Sequence, residues 1–209
     1  FFYYMPMSLK NARIISILFH PVCMLVYMLL FALQLQIQQT VLSLPHLLWL
    51  YGMLLAGYII LPAITVFLLY KLRIIKSLKL DNKQDNAIAY LIFALFYYLC
   101  FQSVSFYAIY PLIQIYMLIP ILITASYLII HLFYNINAHA LFIGAIIGFF
   151  IGLGYYIQQN NIWIILILIC ISGWMLSAQM IINKHSSLQI YSGFFVGLSE
   201  LILLFMFLA

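Results

Sequence analysis

Residues 139–158 read HALFIGAIIGFFIGLGYYIQ, a stretch of twenty residues that contains no Asp, Glu, Lys or Arg. The hydrocarbon core of a bilayer is about 30 Å thick, so a helix needs about 20 apolar residues to cross it. The alternation of apolar and polar residues that marks a membrane β-strand is missing. This stretch therefore predicts a membrane-spanning α-helix.

Stretches of the same kind recur along the chain, which is 68% hydrophobic and only 5% charged, with a mean hydropathy of +1.21. A soluble domain of 209 residues needs far more charge to cover its surface. We predict an all-α, polytopic transmembrane helical bundle that forms a single transmembrane domain over residues 1–209. Its seven expected spans are residues 12–35, 47–70, 87–106, 110–131, 139–158, 162–180 and 188–208.

With seven spans, all eight cationic side chains fall on one side of the membrane, which we call the charged side. They are Lys10 and Arg13 at the start of the first span, Lys71, Arg73, Lys76, Lys79 and Lys83 between the second and third, and Lys184 between the sixth and seventh. The positive-inside rule predicts that this side and the N-terminus are cytoplasmic, and we expect a bacterial inner membrane. The net charge of +5 is thus explained by topology and anionic lipid headgroups, and no nucleic-acid partner is expected.

Glycines four residues apart occur in the fifth and seventh spans. They are Gly144, Gly148 and Gly152 in the fifth span, and Gly193 and Gly197 in the seventh. Such a stripe lets another helix approach closely. We expect these two spans to pack together, which would bring their first residues together on the charged side.

Histidines lie at both of these span starts, and an imidazole can act as a nucleophile or a general acid near neutral pH. They are His139 and His185, and each could equally be an ordinary interfacial side chain. Glu200 is the only acidic residue inside a span, where it is either protonated and hydrogen-bonded or part of a proton or ion path. A metal site built from His20, His131 and these two histidines would have no carboxylate or thiolate ligand, so we predict neither a metal nor a cofactor.

The spacing around these histidines resembles the type 2 phosphatidic acid phosphatases, whose motifs are K-x6-R-P, P-S-G-H and S-R-x5-H-x3-D. The similar segments are Asn137-Ala138-His139 for the second motif, Ala178-Gln179 with His185 and Gln189 for the third, and the loose match Gln84–Ala89 for the first. The resemblance implies a six-helix phosphatase-like core plus one further span. It also implies that His185 is the nucleophile, that the Asp of the third motif orients it, and that His139 protonates the leaving group. Lys184 and Lys83 could substitute in part for the family's phosphate-binding cations.

The departures from the family pattern concern the residues that hold the phosphate. The Ser, Arg and Asp positions of the third motif hold Ala178, Gln179 and Gln189. Phosphoryl transfer depends on cations that clamp the transferred group, and losing one donor commonly costs a few kcal/mol, or about 100-fold in rate. We therefore expect Gln179, Gln189 and Glu200 to be buried polar residues of a degenerate site.

Three functions remain open on the sequence. The first is a non-catalytic relative of the lipid phosphatases, with membrane lipids or other membrane subunits as its partners. The second is an active lipid phosphate or pyrophosphate phosphatase that uses His185 and His139. The third is a transporter or channel centred on Glu200, although no other span carries a second charged residue at depth.

Overall fold

The computed structural model describes residues 7–37, 44–77, 82–106, 111–158, 160–182 and 186–208. These residues form α-helices and one π-helical segment, without a strand among them, so the predicted all-α class is confirmed. The chain forms two compact units, one of residues 1–24 and 133–209 (unit 1) and one of residues 25–132 (unit 2). The expectation of a single domain stays a prediction.

The helices are numbered in chain order. They are α1 (Leu9–Leu18), α2 (Pro21–Ile37), α3 (Leu44–Leu54), a π-helical segment (Leu55–Ile60), α4 (Leu61–Lys71), α5 (Lys83–Phe106), α6 (Pro111–Phe133), α7 (Ala138–Tyr156), α8 (Ile162–Ile182) and α9 (Ser187–Leu208). Unit 1 contains α1, α7, α8 and α9, and unit 2 contains α3 to α6 with most of α2. The long apolar helices make this a multi-pass membrane protein.

Six helical stretches in the described part of the chain are long and apolar enough to cross a membrane. They are Pro45–Lys71, Lys83–Val104, Ile113–Phe133, Ala138–Tyr156, Ile162–Ile182 and Ser187–Leu208. Each corresponds to one of the predicted spans from the second to the seventh. The predicted first span, 12–35, is not one continuous helix, because α1 and α2 are bent by 50° where they meet.

Pro21 explains this break. A proline lacks the backbone N–H that a helix interior needs, and it disfavours the helical conformation of the residue before it, here His20. The helix α1 accordingly ends at Leu18, and Pro21 occupies the first position of α2, where a missing N–H costs nothing. The α1–α2 pair is a seventh span only if the broken pair counts as one.

In unit 1, α7 and α9 pack at backbone contact along the predicted glycine stripes. A Cβ atom built on Gly144 or Gly148 would collide with the carbonyl oxygen of Phe194 or Leu198 in α9. A Cβ on Gly197 would collide with the carbonyl oxygen of Leu141 in α7. The predicted packing of the fifth and seventh spans is confirmed, and it makes α7 the most buried helix of the unit.

In unit 2, the π-helical segment places a tyrosine between α5 and α6. The Tyr58 side chain is fully buried, stacks on Tyr97 of α5 with ring centroids 4.4 Å apart, and donates a hydrogen bond to the carbonyl oxygen of Met117 in α6. Gly57 faces Cys100 of α5 so closely that a Cβ at Gly57 would collide with the Cys100 Sγ. The π-helical segment, which has one extra residue in its turn, therefore lies where α5 and α6 both contact Tyr58.

This contact predicts a double-mutant result. We expect Gly57→Ala alone to destabilise the protein by about 1–3 kcal/mol, because the new methyl group overlaps the thiol. In the Cys100→Ala background the same change should cost much less, since the next atom, the Cys100 Cβ, lies 3.9 Å away. Thermal unfolding in detergent measures the four variants. Equal effects of Gly57→Ala in both backgrounds would contradict the contact.

Candidate functional site

Four polar side chains from three helices of unit 1 meet near the start of α7. We call Ser16, Asn137, His139 and Gln179 the amide cluster. The Gln179 Nε2 donates to the Ser16 Oγ at 3.0 Å, and the Asn137 Nδ2 donates to the Gln179 Oε1 at 3.2 Å. The Asn137 and Gln179 side chains are buried, so their hydrogen bonds are needed to offset the loss of water.

Asn137 is held in place by the helix that it starts. Its backbone is extended, and its Oδ1 accepts a hydrogen bond from the backbone N–H of Ala140 at 2.9 Å. This is the usual N-cap arrangement, in which a short polar side chain satisfies one of the free N–H groups of the first turn. Because its oxygen is committed to the cap, its amide nitrogen is directed at Gln179.

His139, the predicted general acid, contacts α1 through one ring nitrogen. Its Nε2 lies 3.2 Å from the Ser16 carbonyl oxygen and 3.3 Å from the Ser16 Oγ. A carbonyl only accepts, so this bond requires a proton on Nε2. The His20 ring packs against the His139 ring edge to face, with centroids 5.9 Å apart. In this position His139 ties α7 to α1.

Gln189, at the predicted Asp position of the third motif, serves the first turn of α9. Its Oε1 accepts from the Ser186 backbone N–H at 2.9 Å, and its own N–H donates to the Ser186 Oγ at 3.3 Å. These two bonds form a capping box, in which a serine and a glutamine three residues later satisfy each other's backbone. The Gln189 carbonyl oxygen also accepts from the Asn137 backbone N–H at 3.4 Å.

The structure thus brings together three of the positions that resemble the family motifs: His139, Gln179 and Gln189. The Gln179 side chain is buried, whereas Gln189 and Glu200 are half-buried. His185 and Lys184 lie outside the described residues, so their approach to His139 stays a prediction.

Lys83, the other predicted phosphate ligand, belongs to unit 2. It is exposed at the start of α5, and its Nζ donates a hydrogen bond to the carbonyl oxygen of Leu132 at 2.9 Å. Leu132 is in the last turn of α6, where free carbonyl groups favour a cation. Lys83 therefore contacts the C-terminal end of α6.

Sequence reasoning missed Ser16, which accepts from Gln179 and contacts His139. A usable signal was present, because Ala12 and Ser16 are small residues four positions apart, the spacing that favours close helix packing. Ala12 is fully buried, and α1 packs against α8. The small residues let α1 come close enough for the Ser16 hydroxyl to reach a glutamine of α8.

The cluster consists of two amides, a hydroxyl and an imidazole. Among the described residues, no three His, Cys, Asp or Glu side chains are arranged to hold a metal ion. No protein-family model matches the chain, and no curated protein or solved structure is significantly similar to it.

Proposed function

We propose that this chain is a non-catalytic relative of the type 2 phosphatidic acid phosphatases, which serves as a lipid-binding or complex-forming subunit in a bacterial inner membrane with its N-terminus in the cytoplasm. The observation that carries the proposal is the state of Gln179. It stands where the family has a phosphate-binding arginine, and both ends of its amide are engaged, by Ser16 and by Asn137.

An engaged amide cannot replace the missing cation. Arginine binds phosphate through a charged planar fork that offers two parallel hydrogen bonds. Gln179 carries no charge, is buried, and would have to give up hydrogen bonds inside the protein to reach a ligand. Breaking them leaves buried polar atoms unsatisfied, at about 1–3 kcal/mol for each group.

The contacts of the other two motif positions favour the same proposal. Gln189 caps α9, which is a structural role rather than that of a carboxylate orienting a nucleophile. His139 directs its Nε2 proton at the Ser16 carbonyl group, whereas a general acid must direct it at the leaving group. At these two motif positions, His139 holds α7 to α1 and Gln189 caps α9.

The test is phosphate release by the purified protein in liposomes, from phosphatidic acid and from isoprenoid pyrophosphates. We expect the same release from the wild type as from His185→Ala, because without the cationic clamp the developing charge is not stabilised. Release by the wild type that disappears in His185→Ala would overturn the proposal and favour the phosphatase. A partner chain or lipid retained at fixed stoichiometry after mild solubilisation is the positive result expected of a subunit.

A further inference from the structure

The end of α4 in unit 2 carries three cations around an open pocket of about 470 Å³. The described residues that line it are Tyr70, Lys71, Arg73, Ile75 and Lys76. Ile75 is buried and forms the floor, while the three cationic residues are exposed. Among the described residues, none of these three side chains forms an ion pair, and the Lys71 Nζ lies over the Phe67 ring, 5.6 Å from its centroid.

The backbone beneath the pocket is a Schellman motif with an unusual residue in its key position. The N–H of Ile74 donates to the carbonyl oxygen of Leu69, and the N–H of Arg73 donates to that of Tyr70, both at 3.0 Å. The donor of the shorter-range bond in such a motif takes a left-handed conformation and is usually glycine. Here it is Arg73, with φ at 60°.

A side chain at this position is disfavoured for any residue with a Cβ, so its presence calls for a reason. The motif turns the chain sharply at the membrane end of the span Pro45–Lys71. The turn places the guanidinium beside Lys71 and Lys76 around one pocket. The buried Asp85 accepts a hydrogen bond from the Lys76 backbone N–H at 3.1 Å, which fixes the far side of the turn.

We propose that this pocket binds the phosphate group of an anionic lipid headgroup. Three cations complement the negative charge of a phosphate, and arginine can bind it through two hydrogen bonds. The pocket is open and lies at the end of the membrane span Pro45–Lys71, where the headgroups of anionic lipids lie. The inference concerns unit 2 and does not rest on the proposed function.

A general attraction between surface cations and anionic lipids is the competing explanation, and Arg13→Gln is the matched control for it. Arg13 is exposed on α1 and belongs to the same predicted charged side. We expect Arg73→Gln to lower the preference for phosphatidylglycerol over phosphatidylcholine about five- to tenfold, and Arg13→Gln to change it little. Native mass spectrometry of the detergent-solubilised protein, titrated with each lipid, measures the preference.

An Arg73→Gly variant distinguishes a purely structural role of Arg73 from a role in lipid binding. Arg73→Gly should raise the apparent Tm, because glycine adopts the left-handed conformation freely, and yet lose the lipid preference. Gln158, at the end of α7, has the same backbone conformation, with φ at 55° and no part in the pocket. Gln158→Gly should therefore raise the apparent Tm and keep the preference.

Inorganic phosphate distinguishes the two sources of the ligand. If millimolar phosphate raises the apparent Tm of the wild type but not that of Arg73→Gln, the phosphate site would be supported, and its ligand would be the free ion. A lipid preference that Arg73→Gln and Arg13→Gln reduce equally, or that Arg73→Gly leaves intact, would overturn the proposal.

Discussion

Replacing Gly197 with alanine should lower the apparent Tm of the detergent-solubilised protein by roughly 5–10 °C. The added methyl group would collide with the carbonyl oxygen of Leu141 and would lie 2.8 Å from the backbone nitrogen of Ala145. Both obstacles are backbone atoms of α7, so no side chain can rotate to make room. The helices have to separate, and overpacking of this kind costs about 1–3 kcal/mol, or about 2–4 °C for each kcal/mol in a protein of this size.

The same substitution at Gly173 is the matched control, with an expected effect of opposite sign. Gly173 is an exposed residue of α8, and nothing lies within 4 Å of a Cβ built there. Alanine favours a helix interior over glycine by about 1 kcal/mol, so Gly173→Ala should leave the apparent Tm unchanged or raise it. Fluorescence-detected size exclusion after heating measures the apparent Tm of both variants. Equal stability of Gly197→Ala and Gly173→Ala would contradict the close approach of α7 and α9.

Replacing Asn137 with alanine should destabilise unit 1 by about 2–4 kcal/mol, since one side chain performs two tasks. Its Oδ1 caps α7, and losing an N-cap costs about 1 kcal/mol. Its Nδ2 satisfies the buried Gln179 Oε1, and an orphaned buried acceptor costs about 1–3 kcal/mol more. The apparent Tm in detergent again provides the measurement.

Ser8→Ala isolates the capping part of that cost. Ser8 is the N-cap of α1, and its exposed Oγ accepts a hydrogen bond from the Asn11 backbone N–H at 3.2 Å. Its loss should cost only the cap, so Asn137→Ala should be clearly the more harmful. In the double variant Asn137→Ala with Gln179→Leu, the combined loss should be smaller than the sum of the single losses, because neither partner is left orphaned. Strict additivity would show that the two amides are not coupled.

Two features of the helices of unit 1 could be predicted from the sequence alone. The twenty-residue apolar stretches have to be membrane helices, because lipid offers no hydrogen-bond partner to an open backbone. The glycines of α7 and α9 also predicted their own packing, since a face without side chains is useful only against another helix. Both predictions depend on local pattern alone, and both agree with the structure.

The sequence shows Pro21 within a long apolar run, but it does not predict whether the helix breaks there. A proline in a long apolar run either kinks a helix or starts a new one, and the choice depends on what α1 packs against. In the structure α1 packs against α8, and its Ser16 hydroxyl accepts the hydrogen bond of Gln179. That contact joins residues 163 positions apart, and no local pattern can anticipate it.

The sequence by itself determined the class of this protein, its span count to within one broken helix, and the pairing of its glycine-rich helices. These follow from the cost of exposing polar backbone to lipid and from the spacing of small residues. Only the tertiary structure decided that the amide of Gln179 is engaged at both ends, that Gln189 caps α9, and that Arg73 takes a position usually held by glycine. The availability of a polar side chain for a ligand depends on which neighbours already satisfy its hydrogen bonds, and those neighbours come from distant parts of the chain.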